Sequence, residues 1–380
     1  MPSPCRVADE ENGVTSSLTR RQAMKVLTAA AGTAALGAGA IRNAPQAGAA
    51  PWRDVRVLSL NTWHGGTQIA NGLERIAEMI RSTRASIVLL SEAGGATTAL
   101  AELLGAQGLR FEAATSSDTG ILSAYPITET ANLDYMVKAV VTVGDLEIAT
   151  YAAHLQYQWY ATYLPRGYGA GVPAPGEFSE FGWNKMPNGP VTDPTAVQRV
   201  NTASGRPAVI SAFLADAAAE QDKGRAVILG GDFNEPSHLD WTAATRDLFD
   251  HHGVVLPWES TRLLEEAGFV DAYRATYPNP VTHPGFTWPS DNPDVPVSKL
   301  TWAPEADERD RIDYVFAGHN TRLRLRSAGI VGPRESIVRN QRTAEDTRDN
   351  FVESPFPWPT DHKAVVATYR CMPSLGGSAS

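Results

Sequence analysis

An apolar run that ends abruptly in polar residues is the feature that most constrains this chain. Val227-Ile228-Leu229 leads through two glycines into Asp232, Phe233 and Asn234. Because side chains alternate between the faces of a strand, Asp232 and Asn234 are predicted to point the same way at its end. A carboxylate that binds a metal or accepts a proton, beside an amide that orients water, suits the hydrolysis of a phosphate ester. The alternative is an Asx turn, in which both side chains bond only to nearby backbone.

Polar side chains end other apolar segments of the chain in the same way. Ligand sites in α/β sheets lie at strand ends, so the recurrence predicts a shared cleft. The residues are Asn61 in segment 58–61, Glu92 in 89–92, His154 in 151–154, Asp361 and His362 in 359–362, and Asp313 near the start of a strand at 311–316.

The order of elements predicts an α/β fold. Residues 55–60 and 87–90 read as strands, and residues 73–80 and 97–104 have helical spacing. A strand, helix, strand, helix order favours layers of helices on sheets. Later strands are predicted at residues 121–123, 138–143, 147–153, 312–316, 322–330 and 364–369, and helices at 196–219 and 259–267.

Residues 156–195 form a predicted loop that is too long for an ordinary connection and is rich in aromatic residues. Tyr157 and Trp159 in this loop are candidate substrate contacts, since aromatic rings can stack a base or grip an apolar headgroup. Arg166 is a candidate phosphate contact. The alternative is a loop whose aromatic residues only pack on each other. The mixed-charge run at residues 307–311 is expected to be a solvated turn.

The first fifty residues predict an export signal. Arg20 and Arg21 precede an uncharged, Ala/Gly-rich stretch at residues 26–41, and small residues follow at 47–50. This order resembles a twin-arginine signal, although Ala23 stands where a bulky apolar residue is more common. The alternative is a mildly amphipathic helix. A chain exported by the twin-arginine machinery crosses the membrane folded, which suits a metalloenzyme.

Composition limits the partners of the remaining chain. The net charge is −9, and the leader carries five basic and three acidic residues, so its removal leaves −9 − 2 = −11. Nucleic acid is therefore a disfavoured, though not excluded, partner. No stretch reaches the roughly 20 apolar residues of a membrane span. Cys371 alone remains after the leader, so neither an internal disulfide nor a cysteine metal cage is expected.

These motifs, in this order over about residues 56–370, resemble the endonuclease/exonuclease/phosphatase superfamily. The resemblance implies a four-layer α/β sandwich, in which two mixed sheets pack face to face between helices, and a metal-dependent phosphoesterase. We therefore expect residues 1–50 to be the export signal, 51–372 the catalytic domain and 373–380 a flexible tail. The oligomeric state stays open.

The resemblance also implies roles for single residues. The implied metal ligands are Asn61, Glu92, Asp232 and Asp361, and the implied catalytic residues are His154, Asp232, Asn234, Asp313 and His362. Asp232 and Asn234 would hold the attacking water, His362 would contact the phosphate, and Asp313 would orient His362. His154 would contact phosphate or assist the leaving group. Thr360 and Ser91 stand where the family often has Ser and Gln.

The donor types agree with the implied metal. Carboxylate and amide oxygens suit Mg²⁺, with Mn²⁺ or Ca²⁺ as alternatives, better than they suit Zn²⁺. Because no G-x-S-x-G elbow is present, water rather than a side chain is expected to attack. The expected substrate is a small-molecule or lipid-headgroup phosphate ester. An extracellular nuclease and a non-catalytic binding module on the same scaffold remain as alternatives.

Overall fold

The computed structural model describes residues 52–374. The predicted export signal and residues 375–380 of the predicted tail lie outside the described residues. Within the described range, the backbone N–H of Ser374 donates to Asp145, so the start of the predicted tail is bound to the domain. None of the helices between residues 52 and 374 has the length and apolar character needed to cross a membrane.

The fold contains fifteen strands and six α-helices in the described part of the chain. The strands are β1 Arg53–Asn61, β2 Ile87–Ser91, β3 Glu112–Thr115, β4 Gly120–Ser123, β5 Ile127–Leu133, β6 Met136–Val143, β7 Leu146–His154, β8 Ala226–Asp232, β9 Phe269–Asp271, β10 Asp313–Gly318, β11 Leu323–Val331, β12 Glu335–Val338, β13 Gln341–Ala344, β14 Phe351–Val352 and β15 Ala364–Cys371. The α-helices are α1 Gly72–Thr83, α2 Ala96–Ala106, α3 Pro194–Ala203, α4 Arg206–Asp222, α5 Glu259–Glu266 and α6 Ala272–Thr276. Short 3₁₀ turns lie at Ala161–Tyr163, Ser179–Phe181 and Val297–Lys299.

Two large mixed sheets form the centre of the fold. One has seven strands in the order β14-β11-β15-β1-β2-β4-β3, and the other has six in the order β5-β6-β7-β8-β10-β9. Apolar side chains of both sheets, such as Val57, Leu89, Ile148 and Val315, are buried in one cluster between them. Helices cover the outer faces, α1 and α2 on the seven-stranded sheet and α4 and α5 on the six-stranded sheet. This arrangement confirms the predicted four-layer α/β sandwich.

Strand register brings the polar strand ends together. The parallel pairing of β1 with β2 sets Asn61 beside Ser91, one residue before Glu92. On the other sheet, parallel pairing of β7 with β8 sets His154 beside Asp232, and antiparallel pairing of β10 with β8 sets Asp313 on the other side of Asp232. The ends of β1, β2, β7 and β8 and the start of β10 therefore lie at one edge of their sheets, so polar residues far apart in sequence become neighbours.

Two features of the chain depend on glycine. A Cβ on Gly231 would lie 1.9 Å from the carbonyl oxygen of Ala153, so the close approach of β7 to β8 requires glycine just before Asp232. Gly205, with φ of +80°, separates α3 from α4. The prediction of one helix over residues 196–219 is therefore wrong, because the chain turns at Ser204-Gly205 and a second helix begins at Arg206.

Candidate active site

Asp232 lies at the centre of the site, at the end of β8 and almost fully buried. Its Oδ2 accepts a hydrogen bond from the Asn61 amide at 3.0 Å, and its Oδ1 accepts from the backbone N–H of Asn234 at 2.8 Å. Burial raises the pKa of Asp232 above its ordinary value, an effect that His362 opposes and Asp313 reinforces. A carboxylate with a raised pKa is a better proton acceptor than one in water.

Asn234 stands beside Asp232 with a left-handed backbone, φ of +49°. Its side-chain N–H donates to the carbonyl of Leu155 at 3.1 Å. Since the amide nitrogen is bound to the backbone, the amide oxygen is the atom left to face the cavity, which Asn234 helps to line. The Asx-turn alternative is therefore partly right, because Asp232 does accept from the Asn234 backbone.

Glu92 follows β2 with a positive φ of 54°, a conformation that costs a non-glycine residue free energy and clusters at functional sites. Its carboxylate accepts from the Asn61 amide at 3.1 Å and from the backbone N–H of His64 at 2.9 Å. Burial alone would raise the pKa of Glu92, but His154 and the Asn61 hydrogen bond outweigh burial and lower it. Glu92 is thus held ionised in the orientation that faces Asp232.

Asn61 is fully buried and joins the two sheets. Its amide nitrogen donates to both Glu92 and Asp232, while its oxygen accepts from the backbone N–H of Trp63 at 2.9 Å. In this orientation the Asn61 amide fixes the two carboxylates. The role of Asn61 as a metal ligand stays a prediction.

His154 lies between the acidic groups of both sheets. Its Nδ1 is 2.6 Å from Asp118, and its Nε2 is 3.9 Å from Asp232 and 4.0 Å from Glu92. Burial alone would lower the pKa of His154, but the hydrogen bond to Asp118 and the charge of Asp232 raise it to about 9. The imidazole is therefore cationic at neutral pH, with Nε2 directed towards the two carboxylates.

His362 approaches Asp232 from the opposite side. Its Nδ1 is 2.9 Å from Oδ2 of Asp313, and its Nε2 is 3.8 Å from Oδ2 of Asp232. Burial would lower the pKa of His362, but Asp313 and Asp232 together raise it to about 10. The hydroxyl of Thr360 donates to the His362 carbonyl at 2.6 Å and fixes the turn before β15. The predicted pairing of Asp313 with His362 is present.

The carboxylate donors fit a divalent cation. The side-chain Oδ1 of Asp361 is buried without a hydrogen-bond partner among residues 52–374, an arrangement that normally calls for an ion or a water. Burial, reinforced by the charges of Glu92 and Asp232, raises the pKa of Asp361 to about 7. A cation among Glu92, Asp361 and Asp232 would relieve both the lost solvation and the mutual repulsion.

A different triplet of ligand atoms also lies close together in the described chain. One atom each from Asp232, Asp313 and His362 fall within 4.8 Å of one another. His362 is a poor metal ligand here, since its Nδ1 is paired with Asp313 and its Nε2 lies 3.8 Å from Asp232, an arrangement that favours the protonated imidazole. The carboxylates of Glu92 and Asp361 are the better donors.

These groups form the floor of a cavity of about 440 Å³ whose walls are largely aromatic. The floor consists of Glu92, Asp118, His154, Asp232, Asn234, Asp361 and His362. The aromatic lining consists of Trp63, Tyr157, Tyr160, Tyr163, Trp183, Trp288 and Trp302. Of the residues that the structure describes, a single lysine, Lys299, and no arginine line this cavity.

Two predicted substrate contacts do not reach the cavity. Arg166 is fully buried and pairs with Asp310 at 2.5 Å, so it is not a phosphate contact. Trp159 packs beside a buried apolar cluster behind the wall, and its carbonyl accepts from Arg206. Both predictions are corrected by the structure; Tyr157, by contrast, does line the cavity.

The charged run at residues 307–311 is mostly buried, which overturns the prediction of a solvated turn. Asp310 accepts from Arg166, Tyr160 and Trp241. Glu308 accepts from the Tyr163 hydroxyl at 2.6 Å. The run is buried because its carboxylates accept hydrogen bonds from residues of the long aromatic loop. These bonds anchor the loop.

Three residues of the site were not predicted from the sequence. Asp118, the partner of His154, precedes β4 rather than following a strand. Because β4 is antiparallel to β2, its beginning lies at the edge where β2 ends, so polar residues before strands also mark the site. His64 lies 3.3 Å from Glu92, and Trp288 lines the cavity. His64 stands in a turn and Trp288 in an isolated β-bridge with Asp310, and neither segment carries a periodic signal in its sequence.

Known proteins resemble this chain in sequence and in fold. Residues 58–362 match the Endonuclease/Exonuclease/phosphatase family. An uncharacterized protein of Caenorhabditis elegans is 28% identical over 321 residues, which cover 83% of this chain and 91% of that protein. Truncated TDP2 from C. elegans has 17% identity and a TM-score of 0.46, with 83% of this chain and 97% of that chain covered. The human Nocturnin catalytic domain with bound sulfate has 12% identity and a TM-score of 0.46, with 83% and 94% covered. The chain belongs to the endonuclease/exonuclease/phosphatase family.

Proposed function

We propose that this protein is an exported, divalent-metal-dependent phosphoesterase that cleaves small phosphate esters by direct attack of water. Members of its family are usually metal-dependent hydrolases of phosphate esters. The observation that carries the proposal is the meeting of ionised Glu92 and cationic His154 and His362 around Asp232, on one cavity floor. Such a mixture of acidic and basic groups suits both proton transfer and binding of a phosphate.

Glu92 and Asp361, with Asp232 beside them, would hold the cation, of which Mg²⁺ is the preferred choice and Mn²⁺ or Ca²⁺ the alternatives. A bound cation supplies charge neutralisation for the phosphate and for the transition state. The protein holds these donors in place through the Asn61 amide, which bonds both Glu92 and Asp232.

The remaining residues divide the proton transfers between them. Asp232 accepts a proton from the attacking water, which Asn234 orients through its amide oxygen. The water oxygen bonds to phosphorus as the bond to the leaving oxygen breaks. Cationic His362 stabilises the phosphate oxygens, and cationic His154 donates to the leaving oxygen. Asp313 and Asp118 keep these two imidazoles oriented and charged.

Small substrates are favoured over nucleic acid by the charge of the chain and of the cavity. The net charge is −9, and Lys299 is the single lysine or arginine lining the cavity in the described chain. A protein that grips a nucleic acid backbone needs several such groups. Within small substrates, the aromatic walls favour esters that carry an apolar group.

The test is a panel of phosphomonoesters, phosphodiesters and plasmid DNA, assayed with Mg²⁺, Mn²⁺ or Ca²⁺ and with a chelator. We expect hydrolysis of small esters that the chelator abolishes. Exchange of Asp232 for Asn should lower kcat by at least about a hundredfold, since it removes the proton acceptor. Asp54→Asn, at the opposite end of β1 and paired with Arg370, is the matched control and should leave kcat unchanged.

Two outcomes would replace the proposal. Rates on plasmid DNA far above those on small esters would make the protein a nuclease. If the wild type and Asp232→Asn hydrolysed every ester only at the same background rate with each metal, the protein would be a binding module. Export is tested separately: a reporter fused to residues 1–50 should leave the cytoplasm, and Arg20→Lys with Arg21→Lys should retain it there.

A further inference from the structure

Aromatic rings lead outward from the site in a continuous series. The ring centroid of Trp288 is 6.4 Å from that of His362, and Tyr163 is 6.4 Å from Trp288. Trp183 follows at 6.0 Å from Tyr163, and Trp302 at 4.8 Å from Trp183. We call these four residues, Trp288, Tyr163, Trp183 and Trp302, the aromatic row. All four line the same cavity as His362.

The inner rings offer π surface rather than hydrogen bonds. The Tyr163 hydroxyl donates to buried Glu308, and the hydroxyl of neighbouring Tyr160 donates to buried Asp310. Because both hydroxyls are used behind the wall, these tyrosines present carbon to the cavity. A polyhydroxylated substituent would find few partners along this wall, whereas a flat apolar ring would find a matching surface.

The outer rings are about half exposed, so they contribute little to packing within the protein. Trp302 is 48% exposed and Tyr157 is 51% exposed, and both line the cavity. The Tyr157 ring is within 15° of parallel to Trp183, with the centroids 6.4 Å apart. Exposed aromatic side chains that adjoin a polar site are typical of ligand recognition.

The row is held in place before any ligand arrives. Arg206 donates to the carbonyls of Gln156, Gln158 and Trp159, and Arg166 is fixed by Asp310. The other side of the row is anchored through Glu308, which accepts from the backbone N–H groups of Trp302 and Ala303. A preformed wall binds a rigid ring with little loss of conformational entropy.

We infer that the aromatic row is a substrate subsite for a planar aromatic group attached to the phosphate that His362 contacts. The inference rests on the proposed function, because it takes the phosphate position from the catalytic site. It names the substrate class as aryl or nucleoside-like phosphate esters. Trp302 packs on Trp183 rather than on a catalytic residue. The inference makes Trp302 a specificity-determining residue.

The test compares ligands that differ only in the ring. 4-Biphenylphosphonate and (4-cyclohexylphenyl)phosphonate have similar size and differ only in the outer ring, which extends along the row. Their P–C bond is not hydrolysed, so binding is read without turnover. The trimethylammonium-ethyl phosphonate tests for a cationic headgroup instead. Binding is measured by titration calorimetry with Mn²⁺ present, on the wild type, Trp302→Ala and the control Trp52→Ala, whose ring is 58% exposed outside the cavity.

We expect the wild type to prefer 4-biphenylphosphonate over (4-cyclohexylphenyl)phosphonate about fivefold or more. Trp302→Ala should weaken 4-biphenylphosphonate about tenfold while leaving the cyclohexyl ligand nearly unchanged. Trp302→Phe should restore most of the preference, and Trp52→Ala should match the wild type.

Equal affinities for the two rings, or tightest binding of the trimethylammonium ligand, would overturn the subsite. Hydrolysis of small esters together with equal affinities would refute the aromatic row and leave the phosphoesterase standing. A phenyl preference that depends on Trp302, in a protein that hydrolyses nothing, would support the row and refute the proposed catalysis.

Discussion

The two histidines of the site each pair with a carboxylate, and the charge of that carboxylate raises the pKa of the histidine. The clearer pair is His362 with Asp313, in which an imidazole and a carboxylate meet inside the protein at 2.9 Å. Burial alone would leave His362 neutral at pH 7, and the charge of Asp313 reverses that outcome. The charge of the histidine therefore depends on the carboxylate to which its Nδ1 is bound.

Exchange of Asp313 for Asn should move the pH dependence of the enzyme. The pKa of His362 is raised to about 10, so the imidazole is charged below that pH and loses its charge above it. Removing the Asp313 charge lowers this pKa. The alkaline limb of kcat/KM should then shift about 1 to 3 pH units downwards. Asp54→Asn should not shift it, and an unmoved limb in Asp313→Asn would show that His362 is not the group whose loss of charge limits activity.

How far the sequence predicts the site is clearest from individual residues. Glu92, His154, Asp232 and Asn234 were predicted because each ends or closely follows an apolar strand, and the structure places all four on the cavity lining. Asp361 and His362 also line the cavity, but the strand end predicted at residues 359–362 is wrong, because both residues precede β15. Asp118 was missed because it precedes a strand. The predicted role of Arg166 is wrong, because the burial of a side chain cannot be read from strand patterns.

At the scale of elements, the long aromatic loop and the charged run at residues 307–311 stabilise each other. The structure of neither segment can be predicted from its own sequence, because the loop has no periodicity and the charged run is typical of a solvated turn. Their contact buries Arg166 against Asp310, with Tyr160 and Trp241 as further donors to the same carboxylate. Such pairing between distant segments has no local signal, so the sequence could not predict that residues 307–311 are buried.

Exchange of Arg166 for Met should destabilise the protein strongly. The side chain is fully buried, so its removal leaves Asp310 charged and without its cation inside the protein. The free energy of unfolding should fall by about 3 to 5 kcal/mol, as measured by urea denaturation. The double variant Arg166→Met with Asp310→Asn should recover part of the loss. A change below about 1 kcal/mol in the single variant would mean that the pair does not anchor the loop.

At the scale of the molecule, each sheet contributes half of the site. Glu92 and Asn61 come from the seven-stranded sheet, and His154, Asp232 and Asp313 come from the six-stranded sheet. Ser91 fastens the two sheets at this edge, since its hydroxyl donates to Ala153 and accepts from the backbone N–H of Asp232. The strand and helix pattern predicted helices layered on sheets, because periodicity reports burial, and the family resemblance implied the four layers. Neither predicted the break at Gly205 or the short edge strands.

The central claim is that these two half-sites hold one divalent cation between them. Titration calorimetry of Mn²⁺ into the wild type and into Glu92→Gln tests it most directly, with Asp54→Asn as the control. We expect saturable binding in the wild type and in Asp54→Asn, and at least about tenfold weaker binding in Glu92→Gln, because an amide cannot replace the charge of the carboxylate. Equal Mn²⁺ affinity in the wild type and in Glu92→Gln, or no binding to either, would contradict the account.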